Sequence, residues 1–152
     1  MKSFTTHIFR IVLDDEPTVL REIEIASEKT LSDLAKGIVE AFDFEFDHAF
    51  GFYPHEVGRG RRGSEPKYEL FADMGEDTDA LSVRKTQIAD AFPQVGHSVM
   101  FLFDYGDNWQ FTVEVIGTGE KVAKVRYPRV LKKVGTPPEQ YGSWDEDDEE
   151  GD

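Results

Sequence analysis

The sequence predicts a single-domain α+β protein: a β-grasp-like ββαβ first half, an antiparallel meander second half, and one long and one short helix packed on a mixed sheet. Three patterns predict it. Two β-rich runs joined by turn residues open the chain, a helical stripe follows them, and three short apolar runs separated by glycine turns fill the second half. At 152 residues the chain has the length of one domain. Residues 1–143 are assigned to that domain and 144–152 to a disordered acidic tail.

The first run, Phe4 to Leu13, is rich in β-branched and aromatic residues. In the second, Arg21, Ile23 and Ile25 alternate with Glu22 and Glu24. Asp14-Asp15-Glu16-Pro17-Thr18 between them supplies turn chemistry, so the two form a hairpin with one charged face. Thr30 with Asp33 three residues on reads as a capping box with Asp in place of Glu. Leu31, Leu34, Ala35, Ile38, Val39 and Phe42 then follow at the spacing of an amphipathic helix. His48 to Tyr53 is a strand stopped by Pro54. The stretch from Pro54 to Arg84 is irregular, with Tyr68 to Phe71 dense enough for a short strand. Gln87 to Phe92 is a short helix before Pro93. Val99 to Phe103 is a buried strand, Trp109 to Ile116 alternates as the next, and Gly117-Thr118-Gly119-Glu120 turns the chain into a third, Val122 to Tyr127.

Composition removes several classes of function. With no cysteine, disulfide scaffolds, thiol catalysis and thiolate zinc sites are excluded. No apolar run approaches the length that spans a bilayer, and the first residues lead into alternation rather than a signal segment, so a cytoplasmic protein with no membrane partner is expected. The net charge is −14, but the residues from Glu139 onward hold eight acids and no Lys or Arg, so residues 1–138 carry 17 bases, 23 acids and a net −6. A block of acids that dense repels itself, and its simplest role is to solubilise. Overall acidity argues against unassisted binding to a phosphate backbone. The concentrated basic patch, Arg59, Arg61 and Arg62, is the candidate nucleic-acid contact, and three arginines among glycines also make an ordinary solvated loop.

The densest chemistry lies in Phe103-Asp104-Tyr105-Gly106-Asp107-Asn108-Trp109-Gln110-Phe111, where two carboxylates and four rings share one turn. Asp104 and Asp107 can hold a hard cation or share a proton if they converge, or each can accept hydrogen bonds from turn N–H groups. The backbone role is favoured, because no third ligand is recognisable nearby. Tyr105 and Trp109, with Phe103 and Phe111, can grip a base or a peptide, or they can pack a corner. His7, His48, His55 and His97 show no ligand spacing. There is no Gly-x-Ser-x-Gly elbow, Walker loop or Gly-x-Gly-x-x-Gly, and no cofactor is expected.

This corner resembles the Tyr-Asp-Phe-Gly-Asp-x-Trp signature of the plasmid pRiA ORF-three-like family, open reading frame three of an Ri plasmid, whose relatives also travel as passengers of insertion elements. Further motifs extend the resemblance over nearly all of residues 1–143: Thr30-Leu31-Ser32-Asp33-Leu34 with Ile38 and Phe42, the strand His48 to Phe52, Tyr127-Pro128, and Thr136-Pro137-Pro138-Glu139-Gln140-Tyr141-Gly142. The resemblance implies a compact α+β domain and no assigned activity. Two histidines common in the family stand here as Ala35 and Phe111, which weakens any acid–base or metal chemistry at the turn. The expected function is therefore a non-enzymatic binding or adaptor module associated with mobile elements, with the aromatic turn and the Pro54–Arg84 loop as one surface and a protein as partner. A metal-assisted hydrolase or nuclease using Asp104 and Asp107 is the alternative, and a nucleic-acid-binding accessory protein the third reading. The oligomeric state is left open.

Overall fold

The computed structural model describes residues 5–54 and 66–140. Arg59, Arg61, Arg62 and the acidic tail lie outside the described residues. Strands β1 (Thr6–Leu13) and β2 (Leu20–Ala26) form the expected hairpin, Thr6 opposite Ala26 and Val12 opposite Leu20. Helix α1 (Leu31–Ala41) follows. Thr30 caps it: its hydroxyl accepts the Asp33 N–H at 3.2 Å, and the Asp33 carboxylate accepts the Thr30 N–H at 3.0 Å. Six further strands and a short helix complete the domain: β3 (Phe50–Tyr53), β4 (Tyr68–Glu69), β5 (Leu81–Ser82), α2 (Ile88–Ala91), β6 (Ser98–Phe103), β7 (Trp109–Gly119) and β8 (Arg129–Val134).

The eight strands among the described residues join one sheet in the order β5-β4-β3-β6-β7-β1-β2-β8. Every pairing is antiparallel except β4 with β5, so the sheet is mixed and the protein is a single α+β domain. The ββαβ order opens the chain, but β6 and β7 stand between β3 and β1 in the sheet. The second half differs from a three-stranded meander. After the β6–β7 hairpin, both edges of β7 are taken, by β6 and β1, so no third strand can add beside it. Val122 to Tyr127 forms turns instead, and the next strand, β8, pairs with the free edge of β2. Nor does the chain turn at Gly117: β7 continues through Gly119, and Gly117 sits opposite Ile8, where the β1 register shifts at a bulge. Of Tyr68 to Phe71, only Tyr68 and Glu69 pair as strand; Leu70–Met74 closes into a 3-10 turn.

The core lies on one face of this sheet. Along β7, Phe111, Val113 and Val115 are buried while Thr112, Glu114 and Ile116 are partly exposed, the period of two that a one-sided sheet requires. Helix α1 covers the buried face with Leu31, Leu34, Ala35, Ile38 and Val39, and Phe42, its C-cap, packs on Phe111 at 4.9 Å. Each fully buried Phe contributes about 1.5–3 kcal/mol relative to exposure. Phe52 against Phe101 (4.8 Å) and Phe9 against Phe92 (4.8 Å) extend the aromatic layer under α2. None of the described helices is long and apolar enough to cross a membrane.

Two buried polar side chains join elements across the core. Arg21 shares the face of Ile23 and Ile25; its Nε donates to the Ala41 carbonyl at 2.9 Å, and its Nη1 reaches the carbonyls of Leu20 (2.8 Å) and Val134 (3.0 Å). One guanidinium thus caps the carboxyl end of α1, where the helix dipole favours a cation, and fastens the end of β8 to β2. His7 lies 2.7 Å from the Ser27 hydroxyl through Nδ1 and 3.0 Å from the Phe92 carbonyl through Nε2. The carbonyl can only accept, so Nε2 carries the proton in the neutral ring.

Burial pushes the His7 pKa below its ordinary value, outweighing the Phe92 carbonyl, which raises it. The unfolded chain therefore binds the proton more readily, and the stability due to neutral His7 is complete above pH about 6.5 and lost as pH falls below it. The gap in urea-unfolding stability between wild type and His7→Gln should narrow from pH about 7.5 to about 5.5. A constant or widening gap would contradict the assignment.

Candidate functional site

Strand β6 ends at Phe103, which pairs with Trp109 at the start of β7, while Phe101 pairs with Phe111. The five residues between reverse the chain through two left-handed positions, Asp104 (φ 69°) and Asn108 (φ 59°), a conformation that Asp and Asn tolerate best after Gly. The Asp104 side chain is buried, and its Oδ1 accepts the N–H of Gly106 at 3.1 Å and of Asp107 at 3.2 Å. The Asn108 N–H donates to the Asp104 carbonyl at 2.5 Å, and the Asp104 N–H donates to Ala49 at 2.9 Å. Asp104 Oδ2 lies 3.4 Å from His48 Nε2, which is also 3.4 Å from Asp47 Oδ1. Asp107 is exposed, and it contributes its backbone N–H to Asp104.

The two aspartates thus have different places: Asp104 is inside, binding the turn, and Asp107 is outside. Among the described residues, no three His, Asp or Glu side chains gather as a cation cage. His48 is the partner of Asp104 that the sequence does not disclose, because 56 residues separate them; pairing of β3 with β6 brings the two together.

The four rings divide as well. Phe103 and Phe111 are fully buried. Trp109 is half-buried against Phe44 (4.8 Å), and its Nε1 has no hydrogen-bond partner among the described residues. Tyr105 is 38% exposed. Its hydroxyl lies 2.7 Å from that of Tyr53, which donates to Glu69 Oε2 at 2.6 Å, and Thr78 donates to Glu69 Oε1 at 2.8 Å. Since the Tyr53 proton goes to Glu69, the Tyr105 hydroxyl is left to donate to Tyr53. Burial, then the bond to Glu69, holds the Tyr53 phenol far above its ordinary pKa; burial also raises Tyr105. Both stay protonated at neutral pH, as hydrogen-bond groups rather than bases.

The Tyr105 ring also rests on Phe71 at 5.0 Å, so the turn and the segment after Pro66 meet. Gly51 makes the meeting possible: a Cβ there would lie 2.7 Å from both phenol oxygens. A glycine inside an aromatic strand was the available sign of such close approach. Asp73 holds the same segment in place, accepting from the Ser82 hydroxyl at 2.5 Å and the Val83 N–H at 3.0 Å. A separate apolar groove of about 270 Å³, lined by Phe52, Tyr68, Phe92, Pro93, His97 and Val99, lies toward the Ser98 end of β6, away from the turn.

A one-sided mixed sheet under a capped helix, with an Asp-clasped aromatic corner, defines the class: a small α+β domain whose β6–β7 corner is closed by a buried aspartate. The chain belongs to the family described as plasmid pRiA4b ORF-3-like protein, whose sequence model matches residues 5–147. It is 26% identical over 136 residues to an uncharacterized protein of Sinorhizobium fredii, a match covering 88% of this chain and 64% of that protein's length. It is also similar to the crystal structure of a protein of unknown function from Methanosarcina mazei Go1, with a TM-score of 0.75 and 21% identity over 97% of this chain and 81% of the other. At that identity the likeness is one of fold.

Asp104→Ala removes both turn acceptors and leaves an ordinary residue at positive φ, so it should cost about 2–4 kcal/mol in urea unfolding. Asp104→Asn keeps an acceptor oxygen and tolerance of the left-handed region, and should cost less than half as much. Equal losses would show that the carboxylate charge, rather than the turn bonds, is what matters.

Proposed function

We propose that this domain is a non-enzymatic binding module that engages a protein partner through the patch formed by Tyr105, Tyr53 and Phe71. The observation that carries this reading is the exposed Tyr105 ring, held from below by the Tyr53–Glu69–Thr78 chain and from the side by Phe71. An aromatic side chain already fixed in one position binds with less ordering cost, which is why Tyr is enriched where proteins meet. The plasmid-borne origin in the family's name supports a setting among the products of mobile elements.

The reading of Asp104 and Asp107 as a catalytic metal pair is less well supported, because Asp104 would have to give up the two N–H groups it binds. A nucleic-acid role rests on Arg59, Arg61 and Arg62, outside the described residues.

Capture on immobilised protein, read by quantitative mass spectrometry, checks the proposal. Wild type should retain a discrete protein that both Tyr105→Ala and Phe71→Ala lose. The Tyr105 change also loses the packing on Phe71 and the bond to Tyr53, so it should cost about 1–3 kcal/mol while leaving the protein folded, which its amide spectrum checks. If all three proteins retain the same set, the patch is not the binding surface.

A further inference from the structure

The two edges of the sheet differ in a way that a solitary domain does not need. One edge, β5, is two residues long; the other, β8, is six residues long, and all six are exposed. Strand β8 pairs with β2 on one side. Its other side presents a row of backbone N–H and C=O groups, the feature that proteins usually shorten or cover. Among the described residues, eight large apolar side chains are exposed, and three belong to this strand: Val130 (41%), Leu131 (43%) and Val134 (39%).

The charge of the strand is as unusual as its exposure. In a chain of net charge −14, residues 121–138 carry six bases and no acid. The acids of neighbouring β2 are already engaged: Glu24 pairs with Arg129 at 2.8 Å, and Glu22, opposite Lys132, pairs with Arg10 at 3.2 Å. That leaves Lys132 and Lys133 as exposed cations on the edge.

Register places these side chains on both faces. Lys132 opposes Glu22 and Val134 opposes Leu20, on the open face of the sheet, while Val130 opposes Ile23 and Lys133 opposes Arg21, on the side of α1. Each face of the edge thus offers one valine and one lysine. The valine on the helix side lines a crevice of about 140 Å³ with Gly37, Glu40, Ala41 and Pro128.

We propose that β8 is a docking strand for an extended acidic segment of a partner protein, which adds to the sheet as a ninth strand with acidic and apolar side chains on each face. Backbone bonds supply affinity and the side chains supply selection, as in other strand additions. A second copy of β8 is disfavoured, because antiparallel pairing would gather Lys132 and Lys133 of both strands in one ribbon. The same lysines attract an acidic strand and steer its approach. After β8 the described chain turns away from the edge: Gly135 packs against Thr18, and the Gln140 side chain is bonded to the backbone of Glu45, at 2.7 Å to its N–H and 3.3 Å to its carbonyl. This surface is independent of the Tyr105 patch, since β7, β1 and β2 separate β8 from β6.

The test uses the full chain, labelled with 15N, and an acetylated, amidated peptide Thr-Val-Glu-Glu-Leu-Val-Thr, with its Lys-for-Glu counterpart as control. The acidic peptide should shift the amide resonances of residues 129–134 and slow their hydrogen exchange, while the lysine peptide does neither. The double variant Lys132→Glu, Lys133→Glu, whose positions are exposed, should stay folded, as its amide spectrum checks, although it melts lower because the new carboxylate at position 132 would face Glu22. It should bind the acidic peptide at least roughly tenfold more weakly and prefer the lysine peptide. No response of β8 to the acidic peptide at millimolar concentration, or an equal response to both peptides, would overturn the proposal. So would exchange protection of β8 that rises with protein concentration alone, which would assign the edge to a second copy. Protection in the free chain that is lost when Asp145 to Glu150 are neutralised would assign it to the chain's own terminus and equally overturn the proposal.

Discussion

The grip of the Asp104 carboxylate on the two amides ahead of it sets the register on which the rest of the sheet depends. Reversing the chain within five residues keeps Phe103 opposite Trp109 and Phe101 opposite Phe111, and a slip of one residue would turn every side chain of β7 to the wrong face. Strand β7 is also the partner of β1, so the same register fixes Phe9 beside Val115 and Ile11 beside Val113. A single side chain at a strained φ thus sets which rings meet beneath α1. Its second oxygen, facing His48, extends that control to the approach of β3.

One face of the sheet takes nearly all the large apolar side chains, and α1 with α2 covers them. The other face carries polar or mixed rows: Glu22, Arg10 and Glu114 lie side by side across β2, β1 and β7. Both surfaces proposed above lie at the margins of the sheet rather than on its covered face. The Tyr105 patch forms where the turn meets the segment after Pro66, and the β8 edge forms at the opposite margin. Arg21 connects the margin at β8 to the core by tying α1, β2 and Val134 together.

Local features of the fold were legible in the sequence because they depend on neighbours along the chain. The Thr30–Asp33 cap, the helical stripe through Phe42, the hairpin at Asp14–Thr18 and the Asp104 turn all involve contacts within a few residues. What sequence reasoning missed depends on pairing across distance. Val122 to Tyr127 has the alternation of a strand, yet β1 had already taken the edge of β7, and only the sheet order reveals that. His48, Tyr53, Glu69 and Phe71 join the site through pairing of β3 with β4 and β6, and of these only the neighbouring Gly51 carried a local sign. Arg21 alternated with Ile23 and Ile25, which placed it on the buried face; that it would find its partners among backbone carbonyls was not visible.

A carboxylate of Asp104 that serves the turn is not available to a ligand. Scalar coupling across hydrogen bonds, measured by NMR between the Gly106 and Asp107 amide nitrogens and the Asp104 side-chain carboxyl carbon, tests it most directly. Couplings from both amides are expected, unchanged when Mg2+ or Ca2+ is added at millimolar concentration. Absent couplings, with the Asp104 and Asp107 carboxyl resonances moving together as the cation is added, would contradict it and return the turn to the status of a metal site.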